Sequence, residues 1–167
     1  MFFRPIRHAT IAATACLTAL PVAAQEVQAK YRDWVVYTVE EAGEQICYAG
    51  TAAEDKAPKD VEHGEVFFFV SSSRSGTRRD QPSLMVGFQL RPDLAPTAQI
   101  SRKTWTLYSA GNEAFALDAD DPEIVAALKR GAELRVEAVS DRGTAVTYHF
   151  SLLGSSSAID RAAALCR

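Results

Sequence analysis

Few side chains in this sequence belong to the types that attack, ligate or shuttle protons. There are three histidines, His8, His63 and His149, and three cysteines, Cys16, Cys47 and Cys166. His63 lies in a charged stretch beside Glu62 and Glu65. One imidazole with two scattered carboxylates falls short of the four well-placed ligands of a structural zinc site, so a solvated loop is the expected reading. His149 alternates with Thr147 and Ser151. A Ser–His pair also needs an acid to orient the ring and donors for an oxyanion, and the Gly-x-Ser-x-Gly turn that exposes a nucleophile is missing. Polar strand surface is therefore expected at His149, and the alternative is a small hydrolase using His149 with a nearby Ser or Asp. Cysteine chemistry would require Cys47 or Cys166 to be reduced, and the chain lacks a Cys-x-x-Cys motif and a glycine-rich phosphate loop of the usual spacing. These residues assign no catalytic group, no metal ligand and no cofactor.

A second chemistry is recognition of negative charge. The stretch Ser71–Asp80 carries Arg74, Arg78 and Arg79 among serines and glycine. Guanidinium groups so spaced suit a phosphate or a sulfated sugar. The competing reading is a solvated hairpin tip whose arginines discourage aggregation beside Phe67–Phe69. Trp34, Trp105 and Tyr108 could line a binding surface, but aromatics of a small β-domain are expected in its core.

The elements that must hold these residues are mostly short strands. Trp34–Val39 and Ile46–Ala49 are predicted to pair about Ala42-Gly43, and Thr51–Gly64 reads as a polar loop. Val66–Val70 is a continuous apolar run, as in a strand covered on both faces. Leu84–Leu90, Ala98–Ile100, Trp105–Tyr108 and Ala114–Leu117 follow, the last two separated by Gly111-Asn112. Asp121–Arg130 carries helix signals: Asp121 as cap, Pro122 in the first turn, Lys129 and Arg130 in the last and Gly131 as the stop. Leu134–Val139 and Ala145–Leu152 form a hairpin about Asp141-Arg142-Gly143. A short helix capped by Ser156 or Ser157 then runs to Cys166. The expected fold is mainly β: a single β-sandwich or partly open β-barrel-like domain with two short helices.

The first 24 residues read as a secretory signal. Arg4 and Arg7 form a positive start, Ala9–Leu20 is apolar or small, and Pro21 precedes Val22-Ala23-Ala24, which suits cleavage after Ala24. The apolar run is shorter than the roughly 20 residues that span a membrane, and no later segment approaches that length. A lipoprotein signal at Cys16 is disfavoured because Ala13 stands where a leucine is usual. Residues 25–167 then form a single β-rich domain. Losing Arg4 and Arg7 moves the formal net charge from −3 to −5, which does not suggest nucleic acid as a partner. Losing Cys16 leaves Cys47 and Cys166, 119 residues apart, as one pair in an oxidising compartment. The alternative is two unrelated buried thiols.

Taken in order, Asp33-Trp34, Ile46-Cys47-Tyr48-Ala49, Phe67-Phe68-Phe69-Val70, Phe115-Ala116-Leu117, Ile124 to Gly131, Phe150-Ser151-Leu152-Leu153-Gly154 and the final Cys166 resemble the invasion-associated locus B family. The resemblance covers essentially all of residues 25–167. It implies a periplasmic or secreted β-rich protein of a Gram-negative, alphaproteobacterial source, with no catalytic residues to carry over. Its implied partners are an envelope or host-surface protein or a glycan. Many members that resemble this chain have a further cysteine shortly after the tryptophan, where Tyr37 and Thr38 stand here. A second disulfide of that kind is not expected.

Overall fold

The computed structural model describes residues 25–167. The export signal, its cleavage after Ala24 and Cys16 lie outside the described residues. The β-sheet begins with three strands joined by tight turns. β1 (Glu26–Tyr31) pairs with β2 (Trp34–Glu41), and β2 with β3 (Glu44–Ala52). Ala42 at φ 50° and Gly43 at φ 82° link β2 to β3, as the right-handed twist of a two-residue hairpin requires. β4 (Asp55–Ala57) is a three-residue strand inside the stretch read as polar loop, and β5 (Phe67–Ser73) joins the other edge of β3. The remaining elements are β6 (Gln81–Met85), β7 (Thr97–Ile100), β8 (Lys103–Ala110), β9 (Glu113–Ala116), α1 (Asp121–Leu128), β10 (Glu133–Val139), β11 (Ala145–Ser151) and α2 (Ser155–Leu165).

Among the described residues the strands form one antiparallel sheet, in the order β1-β2-β3-β5-β6-β9-β8-β7-β10-β11-β4, open at β1 and β4. It is not closed into a barrel. The sheet doubles over so that its halves share one core: the rings of Phe68 on β5 and Phe150 on β11 lie 5.9 Å apart. The fold is thus mainly β with two helices, within the expected class.

Asp33-Trp34 clasps the two halves. The Trp34 indole N–H donates to the Ser151 carbonyl at 2.9 Å, and the Ser151 hydroxyl donates to the Asp33 carboxylate at 2.7 Å. Gly154 completes the clasp. It sits at φ 95°, and a Cβ there would lie 1.9 Å from the Tyr31 carbonyl oxygen. Only glycine fits.

Several expectations are corrected. Phe67 and Phe69 point outward and are half-buried while Phe68 and Val70 point inward, so the outer face of β5 is only partly covered at its aromatic end. The strand expected over Leu84–Leu90 lies at Gln81–Met85, and Leu90 makes only an isolated bridge to Ser140. The chain leaves the ladder near Gly87, which packs against the His63 carbonyl too closely for any Cβ. Trp34 and Trp105 are core residues, but Tyr108 is 45% exposed. α2 begins at Ser155 behind Gly154 and has no side-chain cap from Ser156 or Ser157.

Asp121 does not cap α1. Asp120 holds that position, and Asp121 is the first helical residue, buried, with one carboxylate oxygen lacking a hydrogen-bond partner. Burial pushes its pKa up to about 6, with Asp118 and Asp120 adding to the rise. A folded-state pKa above the ordinary 3.8 means the folded protein holds this proton more tightly than the unfolded chain. The resulting stability is full below about pH 4 and is lost as pH rises through about 6. Asp121→Asn should therefore stabilise the protein by on the order of 1–3 kcal/mol at pH 8 and by nothing at pH 4. Urea melts at the two pH values check this, and an equal gain at both would contradict it.

Candidate functional site

The loop between β5 and β6 folds around its own hydroxyls. The Ser73 N–H donates to the Arg78 carbonyl at 3.0 Å, and the Arg78 N–H donates to the Ser73 hydroxyl at 3.1 Å. The hydroxyls of Ser73, Ser75 and Thr77 lie 2.9–3.1 Å from one another. Asp80 closes the base, accepting from the Ser72 hydroxyl at 2.9 Å and donating its N–H back to that oxygen at 3.0 Å. The loop is thus an ordered hairpin tip between the paired strands β5 and β6, and Arg74, Ser75, Thr77 and Arg79 stay exposed to solvent on it.

The loop is also docked. The Ser75 N–H donates to Glu44 at 3.0 Å. Hydrogen bonds from Ser75, side chain first and then backbone, hold the Glu44 carboxyl below its usual range. Arg74 spends its guanidinium on structure, donating from Nε to the Gln45 side-chain oxygen at 2.8 Å and from Nη2 to the Leu165 carbonyl at 3.2 Å. That second bond ties the loop to the last turn of α2. Beside it the sulfurs of Cys47 on β3 and Cys166 stand 2.10 Å apart, with Cα atoms 6.0 Å apart.

These contacts leave a cleft of about 470 Å³ between the loop and the end of the chain. Arg74, Arg78, Arg79 and Arg167 line it with Ser73 and Ser75. Asp80 also lines it, engaged with Ser72. The structure thus brings Arg74, Arg78 and Arg79 to one place and adds Arg167. Sequence reasoning missed Arg167 because only the fold carries the chain end back to this loop.

Among the described residues His149 has an acid but no hydroxyl partner. Its Nδ1 lies 3.0 Å from the Glu133 carboxylate on the neighbouring strand. Ser151, the serine nearest in sequence, gives its hydroxyl to Asp33 and accepts the Leu153 N–H at 3.2 Å. The arrangement can orient an imidazole, and it offers that ring no activated nucleophile.

His63 is not solvated. It is 7% exposed, with Nε2 2.8 Å from the Pro58 carbonyl and Nδ1 3.1 Å from the Tyr148 hydroxyl. A carbonyl only accepts, so Nε2 carries a proton and donates it to Pro58, and the Tyr148 hydroxyl pairs with Nδ1. Burial pushes the Tyr148 hydroxyl pKa well above its ordinary value. The signal for this contact was the inward alternation of Tyr148 with Val146 and Phe150. Tyr148→Phe strands a buried ring nitrogen and should cost about 1–3 kcal/mol. An unchanged urea midpoint would contradict this.

A larger depression of about 670 Å³ lies beside His63, where Glu62 and Asp141 oppose Arg142 and no single charge prevails. Among the described residues no group of three or more His, Cys, Asp or Glu side chains is placed to hold a metal ion. No described helix is long and apolar enough to cross a membrane. No curated protein and no solved structure matches the chain. The profile of the family described as "Invasion associated locus B (IalB) protein" matches residues 34–163.

Proposed function

The chain belongs to the invasion associated locus B family, and on that premise we propose that it works outside the cytoplasm as a non-enzymatic binding protein for an anionic group. The convergence of Arg78, Arg79 and Arg167 on one cleft carries the reading. Guanidinium groups form paired, charge-assisted hydrogen bonds with sulfate, phosphate or carboxylate oxygens, and the serine hydroxyls can complete such a shell. Arg74 is a positioning residue, since its donors already hold Gln45 and Leu165. The paired cysteines suit an oxidising compartment, periplasmic or extracellular, as does the signal read in residues 1–24. A sulfated or phosphorylated glycan of the envelope or of a host surface fits this chemistry.

Retention on immobilised heparin tests the proposal. Replacing Arg78, Arg79 and Arg167 with alanine should weaken retention about tenfold, because each exposed charge contact contributes roughly 0.5–1 kcal/mol. Unchanged retention would remove the proposal. The hydrolase alternative rests on the His149–Glu133 pair, and His149→Ala should leave heparin retention as it was.

A further inference from the structure

Arg78 belongs to two surfaces at once. It lines the cleft, and it lies beside the hydroxyl of Tyr48 on β3. The Tyr48 ring meets the Phe69 ring edge-on at 5.9 Å, and the Phe69 and Phe67 rings stack at 5.6 Å. Residues paired across strands share a face, and register sets these three rings on the face away from Trp34, Phe68 and Leu84. The Phe69 ring fills the space that a Cβ would need at Gly50, its partner on β3. One side of the ring therefore rests on bare backbone, while Phe69 and Phe67 both stay only half-buried. The cleft thus continues through Arg78 and Tyr48 into an aromatic ledge that runs down β5.

Polar groups border the ledge. Glu41 accepts from the Tyr48 hydroxyl at 3.2 Å and is itself exposed. Gln81 pairs with Ser71, two residues from Phe69, so it stands half-buried on the same face. Ring faces that alternate with hydrogen-bonding groups do not suit a wholly apolar partner. Nor do they suit a bare polyanion, which the Glu41 carboxylate repels. A sugar chain alternates in the same way. The C–H face of each sugar ring is apolar and meets the negative face of an aromatic ring, and its hydroxyls both donate and accept.

Resting on the reading of the arginine cleft as an anion site, we propose that the ligand is an anionic oligosaccharide that occupies cleft and ledge together. Its sulfate or phosphate sits among Arg78, Arg79 and Arg167, and the sugar rings that follow stack on Phe69 and Phe67. Hydroxyls of the same chain reach Glu41 and Gln81. Distance sets the minimum length. Phe69 and Phe67 lie four and six residues down β5 from Ser73 in the cleft wall, roughly 13 and 20 Å at about 3.4 Å per residue. A lone sulfate or a single sugar reaches only one end, so the ligand is an oligomer.

Calorimetric titration of the exported protein with two probes tests this: a short heparin oligosaccharide, and inorganic polyphosphate of equal charge, which has no sugar rings. Phe67→Leu combined with Phe69→Leu keeps apolar side chains over Gly50 and removes the ring faces. This variant should bind the oligosaccharide about tenfold more weakly than the natural chain does. It should bind polyphosphate as the natural chain does, which also shows that it is folded with its cleft intact. Unchanged oligosaccharide affinity would overturn the ledge and leave the arginine cleft standing. An equal loss for both probes would overturn it too, since the rings would then not be reading sugar. A natural chain that holds neither probe fails at the cleft itself, and the ledge falls with it.

Discussion

Cys166→Ser should lower the free energy of unfolding by about 3–4 kcal/mol, against a total of roughly 5–15 kcal/mol for a typical domain. The bond joins β3 to the end of α2 across 119 residues, so it restrains most of the described chain in the unfolded state. In the chain-entropy picture a loop of this length gives approximately 4–5 kcal/mol, and native-state relaxation lowers that figure. Cys47 is fully buried in the core, so its freed thiol stays packed there while the last turn of α2 loses its tether. The consequence reaches the cleft. Arg74 holds the Leu165 carbonyl one residue before Cys166, and Arg167 follows it. Fraying of that turn should therefore weaken anion binding more than the loss of global stability accounts for. Urea melts and heparin retention of Cys166→Ser, measured well below the unfolding midpoint, check both parts. A stability change under about 1 kcal/mol would contradict the first.

Trp34→Ala is expected to cost about 3–5 kcal/mol, the range for emptying a large aromatic site in a packed core. Trp34 is fully buried and belongs to the cluster that joins both halves of the doubled sheet. Its indole N–H also satisfies the Ser151 carbonyl, so the substitution removes packing and a clasp at once. Trp34→Phe separates these contributions. It keeps most of the ring volume, loses the hydrogen bond and should cost about 1–2 kcal/mol. Equal costs for the two variants, read from urea midpoints, would show that volume is not what Trp34 supplies.

The sequence was most legible where local chemistry decides the outcome. Ala42-Gly43 and Asp141-Arg142-Gly143 mark turns whose flanking strands pair as read, and Pro122 places the first turn of α1. Legibility failed where neighbours decide. β1, Glu-Val-Gln-Ala-Lys-Tyr, has no clear apolar alternation, and it is a strand because β2 offers it a ladder. β4 is too short to signal itself and exists by pairing with β11. Asp118, Asp120 and Asp121 are all competent helix caps, and only the packing of α1 shows that Asp121 is the one turned inward.

The site divided in the same way. That Arg74, Arg78 and Arg79 share a loop could be read from spacing. That Arg74 is committed to Gln45 and Leu165 while Arg167 takes a place in the cleft could not, because both depend on where α2 ends. His63 was misread for the same reason: its charged neighbours suggested solvent, and burial against Tyr148 is a tertiary event.

Calorimetric titration of a sulfated oligosaccharide into the exported protein, at two salt concentrations, tests the anion-binding proposal most directly. Binding should weaken as salt rises, fall about tenfold when Arg78, Arg79 and Arg167 become alanine, and vanish for the desulfated sugar. Equal affinity for the desulfated sugar, or a variant lacking these arginines that binds as tightly as the natural chain, would contradict it.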